Sequence, residues 1–465
     1  MSRALFIGGR VTDDAEGQVQ GLAQPAHTPL PRRFVAAATI GNALEFYDFI
    51  TYAFFAIQIG HAFFPGKSAY GSLMLSLATF GAGFVTRPIG GLVIGAYADR
   101  VGRRPAMMLS FTLMGVAIVS LALIPSYASI GIAAPILAIT ARMVQGFSLG
   151  GEVGPTTAYL LEAAPLNGRG LAVSWQGASQ GIAATLGGLV GVALSAVMAP
   201  AALDAYGWRI AFLLGAVTIP FGLWIRRGLP ETLHLPDAAG PVIAAASTGL
   251  GVIRDNFRII VLALLVLAAG TISTYVFNYI TTFAQHTLHM APGIAFLSGA
   301  LGNIAGVVGV LLGGWLSDRH GRRPLMIWPN LAYLILILPA FFWIVQSRSA
   351  LAIIVGTTSL GFLSSMSTGA FYAAVTETLP KAIRGRAFAT IYASSIALFG
   401  GTTQLVITWL IQVTGNSMAP AFYLMAATVV GQLSLRLILE SAPVKTLPPP
   451  LIAPDLALDP IPPVA

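Results

Sequence analysis

The feature that most constrains this chain is a succession of apolar stretches, each long enough to cross a hydrocarbon layer about 30 Å thick. We read twelve, starting near residues 34, 70, 106, 130, 171, 207, 257, 292, 324, 349, 387 and 417. Backbone inside lipid must satisfy its own hydrogen bonds, so such stretches fold as helices. Composition agrees. Of 465 residues, 56% are hydrophobic and 9% charged, and the mean hydropathy is +0.80, whereas soluble domains carry about 25% charged residues. A soluble enzyme, a disordered chain and a nucleic-acid binder are excluded. Cysteine is absent, which removes disulfides, thiol catalysis and thiolate metal sites. No cofactor and no metal are expected.

The longest polar interruption separates spans six and seven. The expected organisation is a disordered tail at 1–31, which has no signal-peptide pattern, an N-terminal six-helix bundle at 32–228, a linker at 229–256, a C-terminal six-helix bundle at 257–440 and a proline-rich tail at 441–465. Twenty of the 25 Lys and Arg fall on one side of this arrangement, and only Lys67, Arg209 and Arg348 on the other. The positive-inside rule therefore puts both termini in the cytoplasm and accounts for the net charge of +8. The fold class is an all-α integral membrane protein, with twelve transmembrane helices in two pseudo-symmetric halves.

The halves repeat one another. GAYADRVGRRP (Gly95–Pro105) follows span two, and GWLSDRHGRRP (Gly314–Pro324) follows span eight. Glu162, Pro165, Arg169 and Gly170 form E-x-x-P-x-x-x-R-G, and Glu377, Pro380, Arg384 and Gly385 repeat it. Parallel repeats of this kind are a transporter architecture, with the substrate site between the halves near mid-bilayer.

Twelve spans with D-R-x-G-R-R in both halves resemble the major facilitator superfamily. GNALEFYDFITYAFFA (Gly41–Ala56), Arg87-Pro88-Ile89-Gly90 and RMVQGFSLGGEVG (Arg142–Gly154) resemble its metabolite:proton symporters, over about residues 34–440. SWQGASQ (Ser174–Gln180) and TYVFNYITTFA (Thr274–Ala284) are similar to the citrate and tricarballylate branch. Val153 follows Glu152 where many members have Trp, which citrate-type members also lack. The resemblance implies a multi-pass protein of the bacterial inner (plasma) membrane, monomeric among membrane lipid. It implies proton-coupled uptake of a small carboxylate, citrate or a related tri- or dicarboxylate. The alternatives are 2-oxoglutarate or a zwitterionic compatible solute such as betaine or proline. Some osmotic members carry a C-terminal coiled coil, and this tail is proline-rich with no heptads.

Five ionisable residues fall inside spans: Glu45, Asp48, Arg87, Arg142 and Glu152. Such charges are costly in a bilayer and face a cavity or each other. Glu45 and Asp48 share a helix face with Gly41 and Tyr52. Arg142 offers a planar fork suited to a carboxylate, and Glu45, Asp48 and Glu152 are candidate proton carriers. The alternative is a permanent ion pair between Arg142 and an acid, joining spans one and four. Arg87 snorkels or pairs with Glu152. The second half supplies neutral candidates: Tyr275, Asn278 and Tyr279 on span seven, Asn303 on span eight, Ser364, Ser365 and Thr368 on span ten and Gln404 on span eleven. Gln176 and Gln180 share a face of span five. Each is a candidate substrate ligand, as is Tyr52, or else a helix–helix hydrogen bond.

In the repeated loops, an Asp can accept from a neighbouring helix N-terminus and pair with the following Arg. From the resemblance, Asp99, Arg103, Asp318 and Arg322 control the alternation of access. Glu162 with Arg169, and Glu377 with Arg384, are expected as gate or interface ion pairs. An embedded transferase would need acidic metal or phosphate motifs in long loops, which the chain lacks. A receptor or channel would not need matched loops in duplicated halves.

Overall fold

The computed structural model describes residues 32–66, 68–101, 103–150, 164–217, 257–378 and 384–438, with a few adjoining positions. Within these helices the side chains of 32–38, Gly41, Leu44, Glu45, Ala98, Asp99, Arg103, Arg104 and 384–389 are not described. The main helices in chain order are α1 Arg32–Phe54, α2 Ala56–Phe63, α3 Ala69–Val85, α4 Arg87–Val101, α5 Arg103–Leu123, α6 Ala133–Leu149, α7 Arg169–Val197 and α8 Trp208–Ala216. They continue with α9 Phe257–Thr282, α10 Pro292–His320, α11 Arg322–Ser347, α12 Ala350–Thr378, α13 Arg384–Ser395, α14 Gly401–Thr414 and α15 Ala419–Arg436. Among the described residues eight helices are long and apolar enough to cross a membrane. Each of the twelve sequence spans meets a helix that starts within a few residues of its expected start. Span one is α1 with α2, span two is α3 with α4, and span eleven is α13 with α14.

Local chemistry sets the breaks. Ser68 caps α3, its hydroxyl accepting the Gly71 N–H at 3.1 Å. Pro88 has no N–H to donate back to Phe84, and the backbone bends at Thr86, between α3 and α4. The Thr86 hydroxyl donates to the Met143 carbonyl of α6 at 2.7 Å. Between α13 and α14 the chain makes a π turn at Ile396–Gly400.

With lipid as solvent, helices gain little from hydrophobic exclusion and pack through small residues that let backbones approach. Glycines set the critical contacts here. Gly146 and Gly150, four apart on α6, meet Gly83 and Arg87 of span two backbone to backbone. A Cβ on Gly146 would overlap the Gly83 carbonyl, and one on Gly90 would overlap that of Phe147. Between the halves, α7 runs antiparallel to α10, with Gly170 against Gly314, Gly181 against Val307, Gly188 against Ala300 and Gly191 against Phe296. Gly81 of α3 meets Gly401 of α14 in the same way. Large apolar side chains such as Leu92, Val197, Trp328 and Ile335 face outward, as a lipid-facing surface requires.

The α6 contact supports a direct test. Gly146→Ala is expected to cost about 1–3 kcal/mol, because the neighbour is backbone and cannot turn aside. Gly95→Ala, whose Cβ would meet nothing within 4 Å, is expected to be neutral. Thermal unfolding of the purified proteins in detergent measures both, and a Gly146→Ala protein as stable as wild type contradicts this packing.

Candidate functional site

The glycine contact between spans two and four brings two cations together. Arg142 lies one turn before Gly146 on α6, and Arg87 opens α4. Both guanidinium groups pack on the ring of Phe49 of α1, with Arg142 Cζ 4.5 Å and Arg87 Cζ 4.6 Å from its centroid. Arg142 also covers Tyr52 at 4.5 Å and Phe80 at 5.3 Å, and Arg87 covers Phe84 at 4.5 Å. Cation–π contacts of this kind stabilise a desolvated cation by up to about 2 kcal/mol each. Arg142 is wholly buried, as are Asp48 and Gln145.

Arg142 and Asp48 do not touch directly. Arg142 Nη1 donates to Gln145 Oε1, and Gln145 Nε2 donates to Asp48 Oδ2 at 2.6 Å. Arg142 Nε and Nη2 and Asp48 Oδ1 have no hydrogen-bond partner. Spans one and four are thus joined through an amide, and the guanidinium keeps two nitrogens available to another acceptor. Tyr52 donates to the Ser76 carbonyl at 3.2 Å.

A cavity of about 160 Å³ lies between the halves. Of the candidate ligands named from the sequence, Gln180, Tyr275, Asn278, Asn303, Ser364, Ser365 and Thr368 line it. Tyr372, Tyr392 and Phe49 line it as well, and the Gln180 amide donates to the Tyr392 hydroxyl at 3.2 Å. No charged side chain lines it among the described residues. Phe49 therefore stands between the cavity and both arginines. Arg142, Tyr52, Gln176, Tyr279 and Gln404 are buried but do not line the cavity in this structure. Gln176 donates to Asn42 Oδ1 at 3.1 Å, and Tyr279 accepts from Thr408 at 2.9 Å, so both tie helices together here. Gln404 keeps both amide atoms without partners. Glu152 and Glu162 lie outside the described residues, as do the side chains of Glu45, Asp99, Arg103 and Arg384.

At the arginine-rich end, the second repeated loop forms a closed cluster. Asp318 accepts the N–H groups of Gly170 and Leu171, at the N-terminus of α7 in the other half, at 2.8 and 2.9 Å. A carboxylate there meets unsatisfied donors and the positive end of the helix dipole. Arg322 donates to Asp318 at 2.7 Å and to both Glu377 oxygens at 2.8 and 3.1 Å. Glu377 thus pairs with Arg322. Sequence reasoning missed the fourth member, Glu440. Its carboxylate accepts the backbone N–H of Arg322 at 2.7 Å and of Arg323 at 3.0 Å, capping α11. Burial works against its ionisation, but four backbone donors, from Ala442, Arg322, Arg323 and Ser441, hold the carboxyl below its usual range. At the opposite end, Gln58 of α2 bonds Gln285 at 3.3 Å and Phe55 stacks near Phe296 at 4.9 Å. The halves therefore touch at both ends of the cavity.

The pattern of the Major Facilitator Superfamily matches residues 38–395 and again 301–461. The chain belongs to the major facilitator superfamily, and its fold is that of twelve transmembrane helices in two six-helix halves. It is 36% identical over 401 residues to the citrate-proton symporter of Klebsiella pneumoniae, covering 86% of this chain and 90% of the relative. It is 32% identical over 414 residues to the proline/betaine transporter of Escherichia coli (strain K12), covering 86% and 82%. These relatives are transporters, and the chain is a membrane transporter and not an enzyme. A crystal structure of a D-xylose-proton symporter shares the fold, with a TM-score of 0.70 at 19% identity, over 90% of this chain and 99% of that one.

Asp318 bonds the other half and does not line the cavity; if those bonds weight one access state against another, neutralising it changes rate and not binding. Asp318→Asn is expected to slow net transport about tenfold or more while leaving the substrate dissociation constant within about twofold. Uptake rates in proteoliposomes and calorimetry on the same preparation measure the two. A loss of affinity matching the loss of rate would contradict a gating role.

Proposed function

We propose that this protein imports a small carboxylate, citrate or a related tri- or dicarboxylate, together with protons by alternating access. It lies in the bacterial inner membrane with both termini and the arginine-rich loops in the cytoplasm. The observation that carries the reading is Arg142: fully buried, with two nitrogens unbonded and the third group tied through Gln145 to Asp48. A guanidinium so held is complementary to an incoming carboxylate, which it can grip by two parallel hydrogen bonds. Gln180, Asn278, Asn303, Ser364 and the tyrosines supply donors for further carboxylate and hydroxyl oxygens. The substrate reaches Arg142 as the Phe49 ring turns aside. Asp48 carries a proton, and Glu45 and Glu152 are further carriers on spans one and four. The loop residues Asp99, Arg103, Asp318 and Arg322, with Glu162, Arg169, Glu377 and Arg384, form the gates. The closeness of the citrate-proton symporter over most of both chains supports the same substrate class.

A second reading has its own observation. Eight aromatic residues line the cavity, Phe46, Phe49, Tyr275, Phe277, Tyr333, Phe371, Tyr372 and Tyr392, and such surfaces accept quaternary ammonium groups. Betaine would place its carboxylate toward Arg142 and its cationic end among these rings. Uptake of labelled citrate and labelled betaine into proteoliposomes under an inward proton gradient separates the two. Citrate accumulation abolished by a protonophore is expected; accumulation of betaine alone favours the second reading, and citrate accumulation that the protonophore leaves intact contradicts proton coupling.

Arg142→Lys tests the ligand role in either case. The protein is expected to fold and to lose roughly ten- to a hundredfold in carboxylate affinity, since an ammonium cannot reproduce the two-pronged grip. Near-wild-type affinity by calorimetry would assign Arg142 to structure alone.

A further inference from the structure

The amide between Arg142 and Asp48 has only one orientation that satisfies both neighbours. An ionised carboxylate accepts and cannot donate, and a guanidinium donates and cannot accept. Gln145 therefore points Nε2 at Asp48 Oδ2 and Oε1 at Arg142 Nη1, as observed. A neutral Asp48 carries an O–H. Its Oδ1 has no partner, and Gln145 is the one side chain hydrogen-bonded to it among the described residues. A buried O–H without an acceptor is costly. Reversing the amide supplies Oε1 as the acceptor, but the same half-turn aims Nε2 at the guanidinium. Two donors then face each other, and the guanidinium loses its acceptor. We propose that Gln145 is a positioning residue that passes the protonation state of Asp48 to Arg142, so that a carboxylate meets a released guanidinium only after a proton has been taken up.

The proposal rests on the carboxylate reading and adds to it the order of events: proton first, anion second. Release of the anion and deprotonation of Asp48 return the amide to its first orientation. Other groups also act on Asp48. Arg142 is on α6, Arg87 on α4, Tyr47 on α1 itself, and Tyr275 of α9 lies in the field of both arginines. These set where Asp48 titrates, but among the described residues only Gln145 is bonded to acid and base together. Burial of all three members, with no exposure at any of them, keeps water from replacing the amide as the link.

Two variants with opposite expected signs test this. Gln145→Leu leaves Arg142 without its acceptor whatever the state of Asp48. Gln145→Glu keeps the shape and adds a carboxylate that pairs with Arg142 permanently. Citrate binding is measured by titration calorimetry from about pH 5.5 to 8, in pairs of buffers with different ionisation enthalpies, which gives the protons taken up per citrate bound. The citrate's own titration is common to all three proteins and cancels in the comparison. Wild type is expected to weaken roughly tenfold across this range, and to take up more protons than Gln145→Leu, an excess that approaches about one near pH 8 and vanishes near pH 5.5. Gln145→Leu is expected to bind at pH 8 as wild type does at pH 5.5, a gain that a damaged fold cannot produce. Gln145→Glu, the near-isosteric variant, is expected to bind at least about tenfold more weakly throughout. A Gln145→Leu protein with wild-type proton uptake and pH profile overturns the proposal, as does a Gln145→Glu protein that binds like wild type. Absence of citrate binding by wild type would instead count against the carboxylate reading, and the same variants would then be titrated with betaine.

Discussion

A buried guanidinium is the constraint on which the centre of this molecule depends. Arg142 has no exposure, so everything that water would have supplied must come from the protein. Three aromatic faces, from Phe49, Tyr52 and Phe80, receive its flat surfaces, and the Gln145 carbonyl oxygen receives one nitrogen. The remaining nitrogens are the unmet part of this balance. A soluble protein would fill such a deficit with solvent. A transporter can leave it for substrate, since transport requires a site whose occupancy changes the relative stability of two states.

Helix packing makes that arrangement possible. Two cations on neighbouring spans come together only because Gly83, Gly90, Gly146 and Gly150 let spans two and four touch along their backbones. The glycines of α7 do the same between the halves, against α10. That contact carries the α7 N-terminus to Asp318, so the central packing and the peripheral ion cluster share one helix. The cluster of Asp318, Arg322, Glu377 and Glu440 spans α7, α10, α11, α12 and the segment after α15. The Asp318 bonds to Gly170 and Leu171 cross between the halves, whereas those of Arg322 to Glu377 and Glu440 lie within the second half.

Much of this was legible in the sequence because lipid imposes strict rules. Span starts followed from hydropathy, and Asp318 was assigned its helix N-terminus and its Arg322 partner from a repeat of eleven residues. The polar lining from Tyr275, Asn278, Asn303, Ser364, Ser365 and Thr368 followed from polarity at the right depth. Other residues were hidden for physical reasons. Gln145 is an uncharged residue in a motif where Arg142 dominates, and its meaning comes from Asp48, 97 positions away in sequence. Its place one turn from Arg142, on the same helix face, was the available signal. Phe49 and Tyr392 look like ordinary apolar or aromatic helix residues until the fold puts them on a cavity wall. Gln176 reads as a ligand by type, but its contact with Asn42 depends on the angle between α1 and α7, which no local pattern encodes. Glu440 falls where the last helix gives way to a proline-rich tail, and only the fold carries it to the α11 N-terminus.

The central claim is that the charge on Asp48 governs Arg142 and thereby couples proton to substrate. Asp48→Asn tests it, because asparagine keeps the shape, cannot ionise and still hydrogen-bonds Gln145. Two fluxes should be compared in the same proteoliposomes: exchange of labelled for unlabelled substrate without a gradient, and net accumulation driven by an inward proton gradient. The account expects exchange to persist at near-wild-type rates while gradient-driven accumulation disappears. Accumulation equal to that of wild type, still abolished by a protonophore, would contradict the claim and assign coupling to another group.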